Sequence, residues 1–404
     1  MINITDKTKC SGCTACYSIC PHHAIEMVPD YEGFVYPEVD ASKCTDCGAC
    51  VKVCPILFDG TNKGYDTKFF IARAKSENVL NSSTSGGFVT PIAEYVFENK
   101  GVVCGVAFDN EFVVKHKIYD SCDADFNAEK ALAEMRGSKY VQSDLGDIFV
   151  SLEQHIKSGR KVLFVGAPCQ VAGLKAFLRQ DYDNLITIDF VCHGVPSPKL
   201  WTRYKNYQKR KYKSEIKNIS FRSKVYGYHK TTMKIVFENS KIYIGSPRTD
   251  LMLRSFFKEI CSRHSCYNCK FKGIERCSDF TIYDCWRPDK LIDGFVDDDL
   301  GYTNIIFQSS KALNIFDKIE KKYVVYEITR QKFIEQIDDM VIKSATPHKK
   351  RDQYYSVLDE DALDCLGKKL LKITLKDKII ESVKIVLYKL GIIQYFLGET
   401  QRKY

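Results

Sequence analysis

The chain has 404 residues, 45% of them hydrophobic, enough to bury several cores and, at the usual domain size, to form about two to four domains. Its net charge of +9 is modest for that length and its Lys and Arg residues are spread along the chain, which argues against a nucleic-acid partner and supports only a preference for acidic ones. No basic and apolar leader precedes the first cysteines and no apolar run is long enough to cross a bilayer, so the expected compartment is the cytoplasm; there thiols stay reduced, and metal ligation becomes the leading explanation for eighteen cysteines.

In chain order, the first element is an internal repeat. Cys10-x2-Cys13-x2-Cys16-x3-Cys20-Pro21 recurs as Cys44-x2-Cys47-x2-Cys50-x3-Cys54-Pro55, 34 residues later. Three closely spaced thiolates on a tight loop wrap one face of an iron–sulfur cubane, and in this bacterial pattern the fourth cysteine ligates the opposite cluster. The expected quartets are therefore Cys10, Cys13, Cys16 and Cys54 for one [4Fe-4S] cluster, and Cys44, Cys47, Cys50 and Cys20 for the other. Zinc takes four ligands in paired C-x2-C units and has no use for the third cysteine of each run. A radical-type C-x3-C-x2-C loop fails because His23 stands where its third cysteine would fall. Between the runs, residues 24–28 and 34–39 alternate apolar and polar and predict two short strands around Gly33. The unit spans residues 1–62.

Asp59 to Gly64 has linker chemistry, and a body of α/β (mixed α+β) class is expected beyond it, in two parts, 66–150 and 151–345. Residues 69–73 predict a strand, 88–99 a helix ended by Gly101, and 102–108 a second strand. The loop Ser83-Thr84-Ser85-Gly86-Gly87 before that helix is either an anion cradle at a helix N-terminus or an ordinary Ser/Thr cap. Two apolar strands then lead to cysteines: residues 161–165 into Gly166-Ala167-Pro168-Cys169-Gln170, and 185–191 into Cys192-His193-Gly194. Loops beyond the carboxyl ends of such strands build ligand sites, so Cys169 and Cys192 are expected to face one crevice. With Cys266 and Cys269 they would make four thiolates for a third cluster. The alternatives are a catalytic dithiol at Cys266 and Cys269, or buried structural thiols. Cys277 and Cys285 are near enough in sequence to be substitute ligands, whereas Cys104, Cys122 and Cys365 are expected to be structural.

The dicluster head followed by Ser83 to Gly87, Gly137-Ser138-Lys139-Tyr140, Gly166 to Gln170 and Cys192-His193-Gly194-Val195-Pro196-Ser197-Pro198 resembles the beta subunit of coenzyme F420 hydrogenases and dehydrogenases, over roughly residues 1 to 320. The resemblance implies a flavoprotein that exchanges a hydride between FAD and a small organic substrate or a deazaflavin, and passes electrons singly through iron–sulfur clusters to ferredoxin or another redox protein. It also implies that Thr84, Ser85, Gly86 and Gly87 cradle FAD with Ser138, Lys139 and Tyr140 beside it, and that Pro168, Cys169, Gln170, Cys192, His193 and Gly194 line the flavin and cluster face. Lys139 would place positive charge near reduced flavin, and His193 would be the proton donor. One departure is Tyr283, which stands where the family carries glycine in the segment Asp279 to Trp286, and nothing in the chain demands F420 itself.

The tail, residues 346–404, lies outside the resemblance. Ile379, Ile380, Val383, Val386, Leu387, Leu390 and Ile393 recur near helical spacing among Lys376, Lys378, Lys384 and Lys389, which predicts a basic amphipathic helix. Such a helix rests either on an anionic membrane surface or against the body or a partner. Two functions stay open: an oxidoreductase acting on its own substrate, and an electron-transfer subunit feeding another enzyme. The oligomeric state is left open as well.

Overall fold

The computed structural model describes residues 1–4, 6–57, 66–358, 363 and 370–393. The expected linker Asp59 to Gly64 and Cys365 lie outside these residues. In the head, each cysteine loop runs into one helical turn, α1 (Ala15–Ser18) and α2 (Ala49–Lys52). Strands β1 (Ile25–Pro29) and β2 (Val35–Val39) pair antiparallel with Ile25 opposite Val39, so the alternating stretches form a hairpin.

The body follows as β3 (Lys68–Ala74), α3 (Glu77–Ser82), α4 (Val89–Glu98), β4 (Val102–Phe108), β5 (Val114–Asp120), α5 (Ala128–Met135), α6 (Ile148–Lys157), β6 (Val162–Gly166), α7 (Pro168–Leu178), β7 (Leu185–Phe190) and α8 (Pro198–Tyr212). A small antiparallel sheet of β8 (Ile216–Ser220), β9 (Met233–Phe237) and β10 (Ile242–Gly245) comes next, then α9 (Leu251–Phe257). Strands β11 (Phe280–Asp284), β12 (Thr303–Phe307) and β13 (Tyr323–Ile328) return to the main sheet. That sheet has eight strands in the order β13-β3-β12-β11-β7-β6-β4-β5. Its middle, β4, β6, β7 and β11, is parallel, and antiparallel strands flank it on both sides. Parallel strands covered on both faces read as continuous apolar runs, as Val162-Leu163-Phe164 does. One face packs Phe88, Ile92 and Val96 with Ile315 and Phe316, and the other packs Phe149 and Leu152 with Val171 and Leu174. The two parts of the body share this sheet, because β3 from the first lies between β12 and β13 from the second.

Two buried arginines hold the head on the body. Arg263 donates to the carbonyls of Cys10 (2.7 Å) and Val35 (2.9 Å) and to Gln142 Oε1 (3.1 Å), and lies over the Tyr36 ring at 4.1 Å. Arg351 donates through both terminal nitrogens to the carboxylate of Glu32, which has no exposed surface, and to the Ser262 carbonyl. Burial alone would raise the Glu32 pKa; hydrogen bonds from His264 and Arg351 override it and hold the carboxyl down at about 2.

Candidate redox site

The two cysteine loops fold alike because they carry positive φ at matching positions, Gly12 and Thr14 in the first and Asp46 and Gly48 in the second. In each loop one position in this left-handed conformation is a glycine, and the other is Asp46 in one loop and the β-branched, strained Thr14 in the other; together they let a short chain curl around a volume. One cavity is lined by Cys10, Cys13, Cys16 and Cys54. The other is lined by Cys44, Cys47, Cys50 and Cys20. The cysteines thus divide into the crossed sets, each taking its fourth member from the opposite repeat. Backbone N–H groups turn toward the sulfurs: Ala24 donates to Cys20 Sγ at 3.3 Å and Asp46 to Cys44 Sγ at 3.4 Å. Such bonds stabilise negative charge on a ligated sulfur and tune a cluster's potential. Among the described residues no three His, Cys, Asp or Glu side chains are gathered tightly enough for a single metal ion.

In the body, β6 and β7 are adjacent and parallel, so the loops carrying Cys169 and Cys192 leave the same end of the sheet. Cys169 opens α7, where Gln170 Oε1 accepts from the Ala167 N–H at 2.9 Å and Pro168 occupies the first turn. Cys266 sits in the helical turn His264–Asn268 and Cys269 follows it. These four thiols are electrostatic neighbours: burial pushes the Cys169 thiol up first, and Cys192, Cys269, Cys266 and Cys13 push it further. The Gly194 N–H donates to Cys192 Sγ at 3.4 Å, the same arrangement as in the head. Cys277 has Asp189 and Lys175 as electrostatic neighbours, and Cys285 has Asp284. Cys104 is fully buried, as a structural thiol would be; Cys122 is exposed and accepts from Arg160 at 3.4 Å. Cys261, which no spacing singles out, is buried in the core.

The three sets of thiols stand in sequence. Helix α7 packs its Gly173 directly on Cys13, where a Cβ would lie 3.0 Å from the cysteine sulfur. The body quartet thus adjoins the first head cavity, and the second, with exposed Cys47, lies at the surface. On the other side, the His193 ring meets Phe256 edge-on at 5.3 Å, and Phe256 stacks on Tyr140 at 4.5 Å.

Tyr140 belongs to the loop expected beside a flavin, and the Ser138 N–H donates to Thr84 Oγ1 at 3.1 Å, so the two motif loops meet. Ser85 Oγ donates to the Tyr302 carbonyl at 2.8 Å. None of these hydroxyls caps α4, whose first turn has no side-chain cap, so the ordinary-cap alternative is not realised. Gly86 is required by packing: a Cβ there would sit 2.6 Å from the Ala72 carbonyl and 2.9 Å from the Thr303 nitrogen. Lys139 Nζ donates to the carbonyls of Met135, Arg136 and Gly137, closing the end of α5, while burial and then Lys117 pull its pKa down to about 7. His193 Nε2 lies 3.3 Å from Glu259 Oε1, and burial lowers the imidazole pKa against that carboxylate.

Arg222 and Tyr228, which no sequence motif singles out, gather around Trp286, which follows β11 at the end of the segment Asp279 to Trp286. The Arg222 guanidinium pairs with Asp284, lies over the Trp286 ring at 5.0 Å, and keeps a buried Nη2 with no hydrogen-bond partner among the described residues. Tyr228 stacks on Trp286 at 5.2 Å and reaches the Tyr302 carbonyl. The departure at Tyr283 is accommodated, since that ring packs toward Phe333.

A search of curated proteins finds no match. Among solved structures, a chain of the F420-reducing [NiFe] hydrogenase complex from Methanosarcina barkeri is 14% identical, with 76% of this chain and 94% of that one covered and a TM-score of 0.41. The 4Fe-4S dicluster domain model matches residues 9–56. The models of the coenzyme F420 hydrogenase/dehydrogenase beta subunit match residues 69–149 for its N-terminal part and 159–331 for its C-terminal part. With both parts present in order behind a dicluster head, the chain belongs to the coenzyme F420 hydrogenase/dehydrogenase beta-subunit family and is an iron–sulfur protein of redox function.

Proposed function

We propose that the protein is an iron–sulfur flavoprotein oxidoreductase, which exchanges a hydride with a small organic substrate or a deazaflavin at one end and single electrons with ferredoxin or a similar redox protein at the other. The observation that carries this reading is the linear order of thiol sites, from exposed Cys47 through the first head cavity to the body quartet, and then through His193 and Phe256 to Tyr140. Cys10, Cys13, Cys16 and Cys54 would hold one [4Fe-4S] cluster, Cys20, Cys44, Cys47 and Cys50 a second, and Cys169, Cys192, Cys266 and Cys269 a third. FAD supplies the step between electron pairs and single electrons that clusters alone lack.

The residues suit that division. The Arg222 Nη2, which has no hydrogen-bond partner among the described residues, the flat rings of Tyr140, Tyr228 and Trp286, and the joined Thr84 and Ser138 loops offer a buried donor and stacking surfaces. Pro168 and Gln170 hold the start of α7 and thereby Cys169. Gly194 turns its N–H to Cys192, and His193 is positioned against Glu259 to carry a proton. Lys139 in this arrangement secures the loop after α5 rather than facing open space.

The test is anaerobic purification followed by assay of bound flavin and of substrate turnover with an artificial dye as sole electron partner. Bound flavin that Arg222→Met removes, with iron content unchanged, supports the reading. Protein without flavin, or turnover that depends strictly on a second protein, contradicts it.

A further inference from the structure

The helix Leu375–Lys389 is well formed, with Thr374 Oγ1 accepting from the Asp377 N–H at 3.1 Å and the Asp377 carboxylate accepting from the Thr374 N–H at 3.1 Å. One side is fixed to the body. Glu381 is buried and accepts from the Ser246 N–H at 2.9 Å and from its hydroxyl, and Arg248 lies 3.4 Å from Asp377. Ile385, Leu387 and Tyr388 pack with Tyr226, Ile244 and Ile393.

The opposite side has a different composition. Leu375, Ile379, Val383, Val386 and Leu390 are 52% to 73% exposed. At about 100° per residue they fall within an arc of about 80°, a single stripe. Exposed Lys376 borders it on one margin, and exposed Lys378 and Lys389 on the other. The helix's two acidic residues, Asp377 and Glu381, both face the body, so the outward side is apolar with cationic edges and carries no negative charge. Two copies laid stripe to stripe would bring lysine against lysine, which disfavours self-pairing. Anionic phosphates bordering an apolar layer match both the stripe and its margins.

We propose that this face rests on an anionic membrane surface, with Leu375, Ile379, Val383, Val386 and Leu390 inserted among the acyl chains and Lys376, Lys378 and Lys389 at the lipid phosphates. The contact is monotopic: among the described residues no helix is long and apolar enough to cross a membrane. Its anchorage through Glu381 and Tyr388 sets how the whole body is presented to the surface.

The experiment is anaerobic co-sedimentation of the full-length iron-loaded protein with vesicles of equimolar phosphatidylglycerol and phosphatidylcholine, and with phosphatidylcholine alone. Binding is expected to the first and about 100-fold weaker to the second, and Lys376→Gln/Lys378→Gln/Lys389→Gln is expected to lose about 100-fold. Ile379→Asp/Val386→Asp, two exposed positions, should abolish binding while iron content and thermal midpoint stay unchanged. Equal binding to both vesicle types, no binding to either, or a stable dimer that the aspartate pair converts to monomer without any vesicle binding would overturn the proposal.

Discussion

Arg263 is the side chain through which head and body can be uncoupled without touching a cysteine. Its carbonyl accepts from the Cys266 N–H at 3.0 Å, so one residue joins the loop of the body quartet to the loop of the first head cavity. Arg263→Met keeps most of the volume and removes the bonds to the Cys10 and Val35 carbonyls. Hydrogen bonds from charged groups contribute about 1.5–3 kcal/mol each, so the two that cross to the head amount to about 3–6 kcal/mol. Methionine recovers part of the packing, which places the expected loss near about 3 kcal/mol, or roughly 100-fold in the docking equilibrium. Arg263→Lys should fall between, because an ammonium cannot reproduce the planar fork. Anaerobic thermal unfolding followed by visible cluster absorbance, with limited proteolysis in parallel, reads the effect. The variant should unfold earlier and shed the head as a fragment while retaining its iron. An unchanged midpoint together with an unchanged digestion pattern would refute the clamp.

Three further outcomes follow from named groups. Because the folded Glu32 pKa is depressed from 4.5 to about 2, its contribution to stability is fully present above about pH 4.5 and is lost as pH falls toward 2. Acid unfolding of Glu32→Gln should lack that loss, and an identical acid profile would contradict it. The crossed assignment predicts that Cys44→Ser/Cys54→Ser damages both head clusters and loses about eight irons per chain, whereas an uncrossed arrangement would lose about four. Gly86→Ala forces a Cβ against backbone on two strands that cannot yield, so a stability loss of about 1–3 kcal/mol is expected, seen as a lowered thermal midpoint; an unchanged midpoint would contradict it.

The head was legible in residues because its constraint is local: eight thiols at fixed spacing determine where the loops curl, and the crossed sets line two separate cavities. The convergence of Cys169 with Cys192 was legible for a related reason, since each ends an apolar parallel strand and the two strands are neighbours. Long-range pairing was not legible. Nothing in residues 68–74 announces that β3 runs between β12 and β13, more than two hundred residues on. Arg222 carries no local signal, because its partners Asp284 and Trp286 come from the end of another strand. The helical periodicity of the tail was visible, but which face would be buried depended on Ser246 meeting Glu381. The apolar spacing alone carries no record of that contact.

The most direct test of three thiolate quartets in a line is the iron and acid-labile sulfide content of the anaerobically prepared protein. About twelve irons per chain, with matching sulfide, is the expected result. A value of about eight would remove the body cluster and break the path to Tyr140, and iron-free or zinc-containing protein would contradict the account as a whole.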